Sequence, residues 1–368
     1  MTEHSAAKSG EGPVDEKGEP VDPQALDVIA QTVPGATGES PADMPGAAWW
    51  AIVKRVYIMT GFHNLSLLAA GVAFFAFLAF VPLIASVVLV YGLAGDPQTV
   101  AGNIDLLRGI VPSEVLTILR DQMIAIVTSS ETAKGVGLAL AILFALYGAM
   151  RAASAMMAAL NIIYEEHETR SIIRTTLVAA AITAGMVGAG LIGTAAISLF
   201  TYTSNVLAAY LGDAIRLLIQ ILIWAVAACL ISFTFAIFFR YAPDRRAAKW
   251  RWLSVGSGLS TILWLLTTLG FGFYVANIGD YNATYGSLGG IVIFLMWLFL
   301  SAYAVLIGAE VNSEMERQTM VDTTVGPDRP IGMRGAVMAD SVIVDEASRA
   351  LMEKKRRRDA ARQLERGR

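Results

Sequence analysis

The sequence predicts an all-α polytopic membrane protein: a bundle of six transmembrane helices with amphipathic interfacial helices and disordered tails. Three observations carry that prediction. Hydrophobic residues make up 55% of the 368 residues and charged residues only 16%, with a mean hydropathy of +0.56. Average soluble domains carry about 25% charge, so this much apolar surface cannot be hidden in a water-soluble fold of this size. Six charge-poor stretches each exceed the roughly 20 residues that cross about 30 Å of hydrocarbon. Basic residues also concentrate in alternate loops, as the positive-inside rule requires.

Residues 1–48 hold six of the twelve prolines, nine acidic residues and only two lysines, Lys8 and Lys17. They lack helical or strand periodicity and read as a disordered acidic tail. With no apolar core behind a basic start, they do not read as a cleaved signal. From Ala47 the pattern changes: Trp49, Ile52, Val53 and Val56 recur at helical spacing beside Lys54 and Arg55, which predicts a short helix at the membrane interface.

The six spans are expected at about 66–93, 135–163, within 175–212, 217–239, 253–276 and 287–309. Pro82 predicts a kink near Ala79–Pro82 in the first. Arg170 and Arg174 follow the second span, and Arg240, Arg245, Arg246, Lys249 and Arg251 follow the fourth. The alternate loops are poorer in Lys and Arg, which places both termini in the cytoplasm. Segment 94–134 is too polar to span and reads as an amphipathic hairpin over the outer side. The membrane domain is thus 49–318, and 319–368 is a cytoplasmic tail ending in Lys354-Lys355-Arg356-Arg357-Arg358. That cluster has no interleaved aromatics, so it predicts contact with anionic lipid rather than nucleic acid.

Chemistry-bearing motifs are sparse. There is one cysteine, Cys229, and the three histidines, His4, His63 and His167, lie far apart in the sequence. With no Walker phosphate loop and no paired-histidine zinc motif, the sequence predicts no cofactor, no metal and no catalytic residue. Gly188-x-Gly190-x-x-Gly193 lies within an apolar span, so it is not a dinucleotide fingerprint. Small residues four apart predict close helix packing instead: Gly185, Ala189 and Gly193 in the third span, and Gly137, Ala141 and Ala145 in the second.

Arg151 is the one charge inside the second span. It reads either as a snorkelling or carboxylate-paired side chain, or as an anchor for an anionic headgroup or substrate. Asn161 and Tyr164 continue its helix toward the cytoplasmic end. Glu310 and Asn312 end the sixth span, and a pairing of Glu310 with Arg151 is open. Asn277, Asp280, Tyr281, Asn282 and Tyr285 crowd a short outer loop that enters the sixth span through Gly286, Gly289 and Gly290, as a tight turn or as a ligand mouth.

Several runs carry a family resemblance. They are Ala70-Gly71-Val72-Ala73-Phe74-Phe75, Phe80-Val81-Pro82-Leu83, Ala159-Leu160-Asn161-Ile162-Ile163-Tyr164, Tyr241-Ala242-Pro243-Asp244, and Trp250-Arg251-Trp252. Tyr281-Asn282-Ala283-Thr284-Tyr285-Gly286-Ser287-Leu288-Gly289-Gly290 follows, then Trp297 and Gly308-Ala309-Glu310-Val311-Asn312. In this order, over about 50–318, they resemble the YihY/BrkB family of bacterial inner-membrane proteins. The resemblance implies six spans with both ends inside. It also brings the historical label ribonuclease BN, which these residues do not support: His167 among Glu165, Glu166 and Glu168 is a single histidine, with no metal cluster around it. The expectation is a transporter-like protein of the bacterial inner membrane, with membrane lipids as partners, moving a lipid or amphipathic anion without its own ATPase. The alternatives are a non-catalytic scaffold for envelope proteins and, remotely, a tRNA-processing ribonuclease.

Overall fold

The computed structural model describes residues 14–15, 20–22, 25–94, 131–207, 213–277, 289–345, 347–354 and 357. α-Helices organise most of them. The short α1 (Leu26–Thr32) precedes α2 (Gly46–Phe62) and α3 (Leu65–Ala94). Then come α4 (Glu131–Ile163), α5 (Ile172–Leu207), α6 (Asp213–Tyr241), α7 (Trp250–Asn277), α8 (Gly289–Gln318) and the short α9 (Val337–Asp340). The strands β1 (Val14–Asp15) and β2 (Ser341–Val342) pair in parallel.

Helices α4 to α8 are each long and apolar enough to cross a membrane. α3 runs 30 residues without a charged side chain, and its first half, taken with α2 across a 63° bend, is a further candidate span if the bent pair crosses as one. Backbone hydrogen bonds within a helix leave no polar group for lipid to satisfy. The outward faces are correspondingly apolar: Leu143, Phe144, Leu177, Leu222, Trp224, Leu266 and Phe273 are all exposed. The sharp bend falls at His63–Asn64, where Asn64 has φ +53°, and α3 continues through Pro82 to Ala94.

α8 is the central helix, packing on α2, α3, α4, α7 and α9. Leu65, Ala69, Met157, Leu160, Ile163, Phe239, Leu253 and Leu306 form one buried core toward the end that carries the basic loops, here the basic end. On α2, Ala48 and Ile52 bury against Trp252 and Met315, while Trp50, Tyr57 and Ile58 are exposed. An amphipathic helix with one face on protein and the other apolar face free suits the interface.

The structure corrects both tails. Residues 25–48 are folded: Ile29, Val33 and Ala36 pack on Val342, Ile343 and Val344. Thr32 and Ser348 share a 2.6 Å hydroxyl contact. The apolar positions of α1 are too few to register as a periodic helix, and the segment that covers them lies at the other end of the chain. The sixth helix does not stop near 309. It continues to Gln318 with residues 308–318 all buried, because the 319–344 segment folds back around it. Asp322 accepts hydrogen bonds from the N–H and hydroxyl of Thr324 and the N–H of Arg329, and the Arg334 guanidinium donates to the carbonyls of Met320, Val321, Arg329 and Ala339.

The packing stripes are also redistributed. Gly137 and Ala141 are half-buried and Ala145 buried, but the close contact of α4 with α3 is at Gly148, where a Cβ would stand 2.6 Å from the Ala79 Cα. A Cβ added at Gly185 or Gly193 would meet nothing within 4 Å, and Ala189 is exposed, so the third-span stripe makes no close helix approach among the described residues. The tightest crossing is α7 on α8, where Gly256 and Gly308 face each other backbone to backbone.

Candidate functional site

Two places concentrate the chemistry. One is a polar junction at the basic end, where α8 leaves the apolar bundle and meets the α2–α3 bend and the loops after α4 and α6. α8 supplies Glu310, Glu314, Glu316 and Arg317, all buried. Glu310 lies 3.0 Å from His63 Nδ1 at the bend. Glu314 pairs with Arg55 at 2.6 Å, and Arg55 also donates to the Gln318 side chain. Arg317 pairs with Glu165 at 2.6 Å, and Glu316 with Arg245 at 2.5 Å. Buried charges persist only when paired in this way.

The loops are clamped around these pairs. Asn161 donates to Glu168 and accepts from the Asp244 N–H at 2.8 Å, tying the α4–α5 loop to the α6–α7 loop. Asp244 accepts from the Thr169 N–H and hydroxyl. Glu168 is held by two Arg170 nitrogens at 2.7 Å, and hydrogen bonding to Arg170 keeps its carboxyl below the usual range. Tyr164 is fully buried beneath the Arg245 guanidinium, 4.7 Å from its ring. Burial, then the Glu316 carboxylate, pushes its phenol up, so it stays protonated. Asn312 accepts from the Gly256 N–H and donates to the Leu253 carbonyl, fastening α8 to α7.

The other place is the flank of α4. Arg151 is exposed, with its guanidinium 5.2 Å from the Phe75 ring and no carboxylate partner among the described residues. It stands about 18 Å along the helix from the end at Ile163. Leu140, Leu143, Phe144 and Tyr147 line an open apolar hollow of about 350 Å³ on the same helix. Tyr147 lies one turn from Arg151, so hollow and guanidinium share a face.

This polar junction lies where the sixth span ends, within the Gly308–Asn312 run, and residues 59–330 match the family described as virulence factor BrkB. The chain belongs to the BrkB family. It is 27% identical over 184 residues to the ribonuclease-like protein YfkH of Bacillus subtilis, covering 49% of this chain and 66% of that one. It is 30% identical over 161 residues to a UPF0761 membrane protein of Paraburkholderia xenovorans (43% and 35%). A UPF0761 membrane protein of Alkalilimnicola ehrlichii is 46% identical over 79 residues (21% and 18%). The chain spans less than two thirds of the length of these curated relatives. No solved structure matches. As a BrkB-family chain with these helices, the protein is an integral, multi-pass membrane protein.

Of the residues singled out in the sequence, Asn161, Tyr164, Glu310 and Asn312 meet at the junction, while Arg151 stands apart on the α4 flank. The open pairing of Glu310 with Arg151 is not made; Glu310 binds His63. Asn277 donates to the Phe273 carbonyl of its own helix, and Gly289 is buried at the start of α8. Asp280, Tyr281, Asn282, Tyr285 and Gly286 lie outside the described residues, as does most of the 94–134 hairpin. Sequence reasoning missed His63, Arg55, Glu165, Arg245, Glu316 and Arg317. One signal was available: Glu310, Glu314 and Arg317 recur at i, i+4 and i+7, a helical charge stripe that continues the sixth span.

Proposed function

We propose that this BrkB-family protein is a transporter-like component of the bacterial cytoplasmic membrane that moves a lipid or another amphipathic anion across it without an ATPase of its own. Arg151 carries this reading. A guanidinium on an apolar flank, far from either helix end, is costly unless an anion or water meets it. An anionic headgroup can pair with it bidentately while the attached chain lies in the hollow at Leu140, Phe144 and Tyr147. The concentration of basic residues in these loops supports a cytoplasmic junction end, with both termini on that side. Glu165, Glu166 and Glu168 each hold a structural partner, and His167 is exposed beside them, which supports a reading without a catalytic step.

Leaflet exchange of labelled anionic phospholipid in proteoliposomes tests the reading. Wild-type protein should exchange lipid, and Arg151→Ala should slow exchange about tenfold or more, the loss of one charge-assisted contact. Equal rates from both proteins, or none above empty vesicles, overturn it. One observation favours a scaffold as the second reading: the two chain ends fold together beside the bundle. Deletions that test it must be confined to residues 1–13 and 358–368, which leave β1, Val21, Ser348 and Met352 in place. Loss of phenotype from those deletions alone would favour the scaffold.

A further inference from the structure

At the α2–α3 bend a buried histidine lies between two carboxylates. His63 Nδ1 is 3.0 Å from Glu310 Oε2, and His63 Nε2 is 3.9 Å from Glu165 Oε1. The His63 and Glu310 side chains are 4% and 0% exposed. Among the described residues, neither His63 Nε2 nor Glu310 Oε1 has a hydrogen-bond partner. The charged groups around the pair are Arg55 from α2, Glu165 from the α4–α5 loop, and Glu314 and Arg317 from α8. Together with Glu310 they make three carboxylates against two guanidiniums, one net negative charge while the imidazole is neutral.

A net charge on a cluster largely withdrawn from water is costly. A single proton on the imidazole cancels it. The same proton turns Nε2 from a lone pair facing the Glu165 carboxylate into a donor facing it. We propose that His63 and Glu310 form a proton-binding site, and that the bound proton draws Glu165 to Nε2 and so fastens the α4–α5 loop to the α2–α3 bend. Glu165 and Asn64, the residue after His63, both have φ +53°, a backbone that the surroundings must hold in place. This site is separate from the Arg151 flank and stands whether or not a lipid is moved.

The test uses the full chain in lipid nanodiscs. Changing His4→Gln and His167→Gln leaves His63 the single histidine for ring-nitrogen NMR. The neutral Nδ1–H tautomer is expected at the alkaline end of a pH series and the doubly protonated ring at its acid end. Spin labels at the exposed positions Tyr57 and Ile173, in a Cys229→Ala background, should move closer over the same range. That movement should vanish in His63→Gln. A ring that keeps one protonation state throughout, an Nε2–H tautomer at the upper pH, or a label movement that survives His63→Gln overturns the proposal. The NMR arm needs no change at the site itself, so it decides even where His63→Gln fails to fold.

Discussion

Glu166 accepts a 2.8 Å hydrogen bond from the N–H of Val337, the residue that opens α9. Burial pushes its carboxyl up to about 7, against the opposing pull of Arg245 and this hydrogen bond, with Glu316 and Asp244 adding to the rise. For an acid whose value is raised by folding, the neutral form is the one the fold prefers. Its stabilising contribution is therefore full below about 4.5 and is lost as the pH rises through about 7. Thermal unfolding of the wild type should weaken over that window, by at most about 1.4 kcal/mol per pH unit from this group. Glu166→Gln keeps an acceptor for Val337 but cannot ionise, so the difference between the two melting curves should grow with pH. A constant difference from about pH 5 to about pH 8 would show that Glu166 does not titrate there. Glu310 and Asn312 were legible as special because polar groups at the end of a span stand out. Their partners were not. His63 and Glu310 are separated by 247 positions, and nothing in the chain's local pattern specifies which turn of α8 faces the bend.

Spans of about 30 residues are the most legible level of this protein, because length and apolarity alone decide whether a helix can cross lipid. Which small residues bring helices together is harder to read. The stripe at Gly185, Ala189 and Gly193 has the spacing of a packing face, yet among the described residues a Cβ at Gly185 or Gly193 meets open space. Gly256 and Gly308 carry only one step of that spacing each, Gly256 to Ser260 and Ala304 to Gly308. A Cβ on Gly256 would strike the Gly308 carbonyl and the Asn312 side chain, and one on Gly308 would strike Ser260 and the Gly256 carbonyl. Spacing reports what a helix face permits, while the contact depends on what the neighbouring helix places opposite. Gly308→Val should therefore lower stability in detergent by about 2–3 kcal/mol, the cost of overpacking against backbone that cannot yield. Gly185→Val should change it by no more than about 0.5 kcal/mol. Heat-induced aggregation midpoints of the two variants check this, and similar shifts for both would contradict the packing assigned to α7 and α8.

At the scale of the whole molecule, two different solvents shape two different parts. The outer faces of α4 to α7 are apolar because lipid meets them, and composition alone made that half legible. The basic end is built in the manner of a water-soluble domain, from a buried core and paired charges around the last turns of α8. Its residues come from both ends of the chain, each with a composition that reads as disorder when taken by itself. Ile29, Val33 and Ala36 bury little unless Val342, Ile343 and Val344 cover them, and the reverse holds equally. Neither segment has enough apolar surface to offset its own chain entropy, so the two should order together or not at all. A charge placed in this small core tests that dependence. Val342→Asp puts an unpaired carboxylate at a position that is 1% exposed, at a cost of several kcal/mol unless the body opens. Opening would release residues 25–45 as well as 337–345, although the substitution touches only the second. Limited proteolysis with a protease of broad specificity, read by intact mass, should therefore show cuts in both segments about tenfold faster than in the wild type. The α3 to α8 bundle should stay whole, with unchanged helical content by circular dichroism. Faster cutting confined to 337–345 would mean that the N-terminal segment holds its place without its partner.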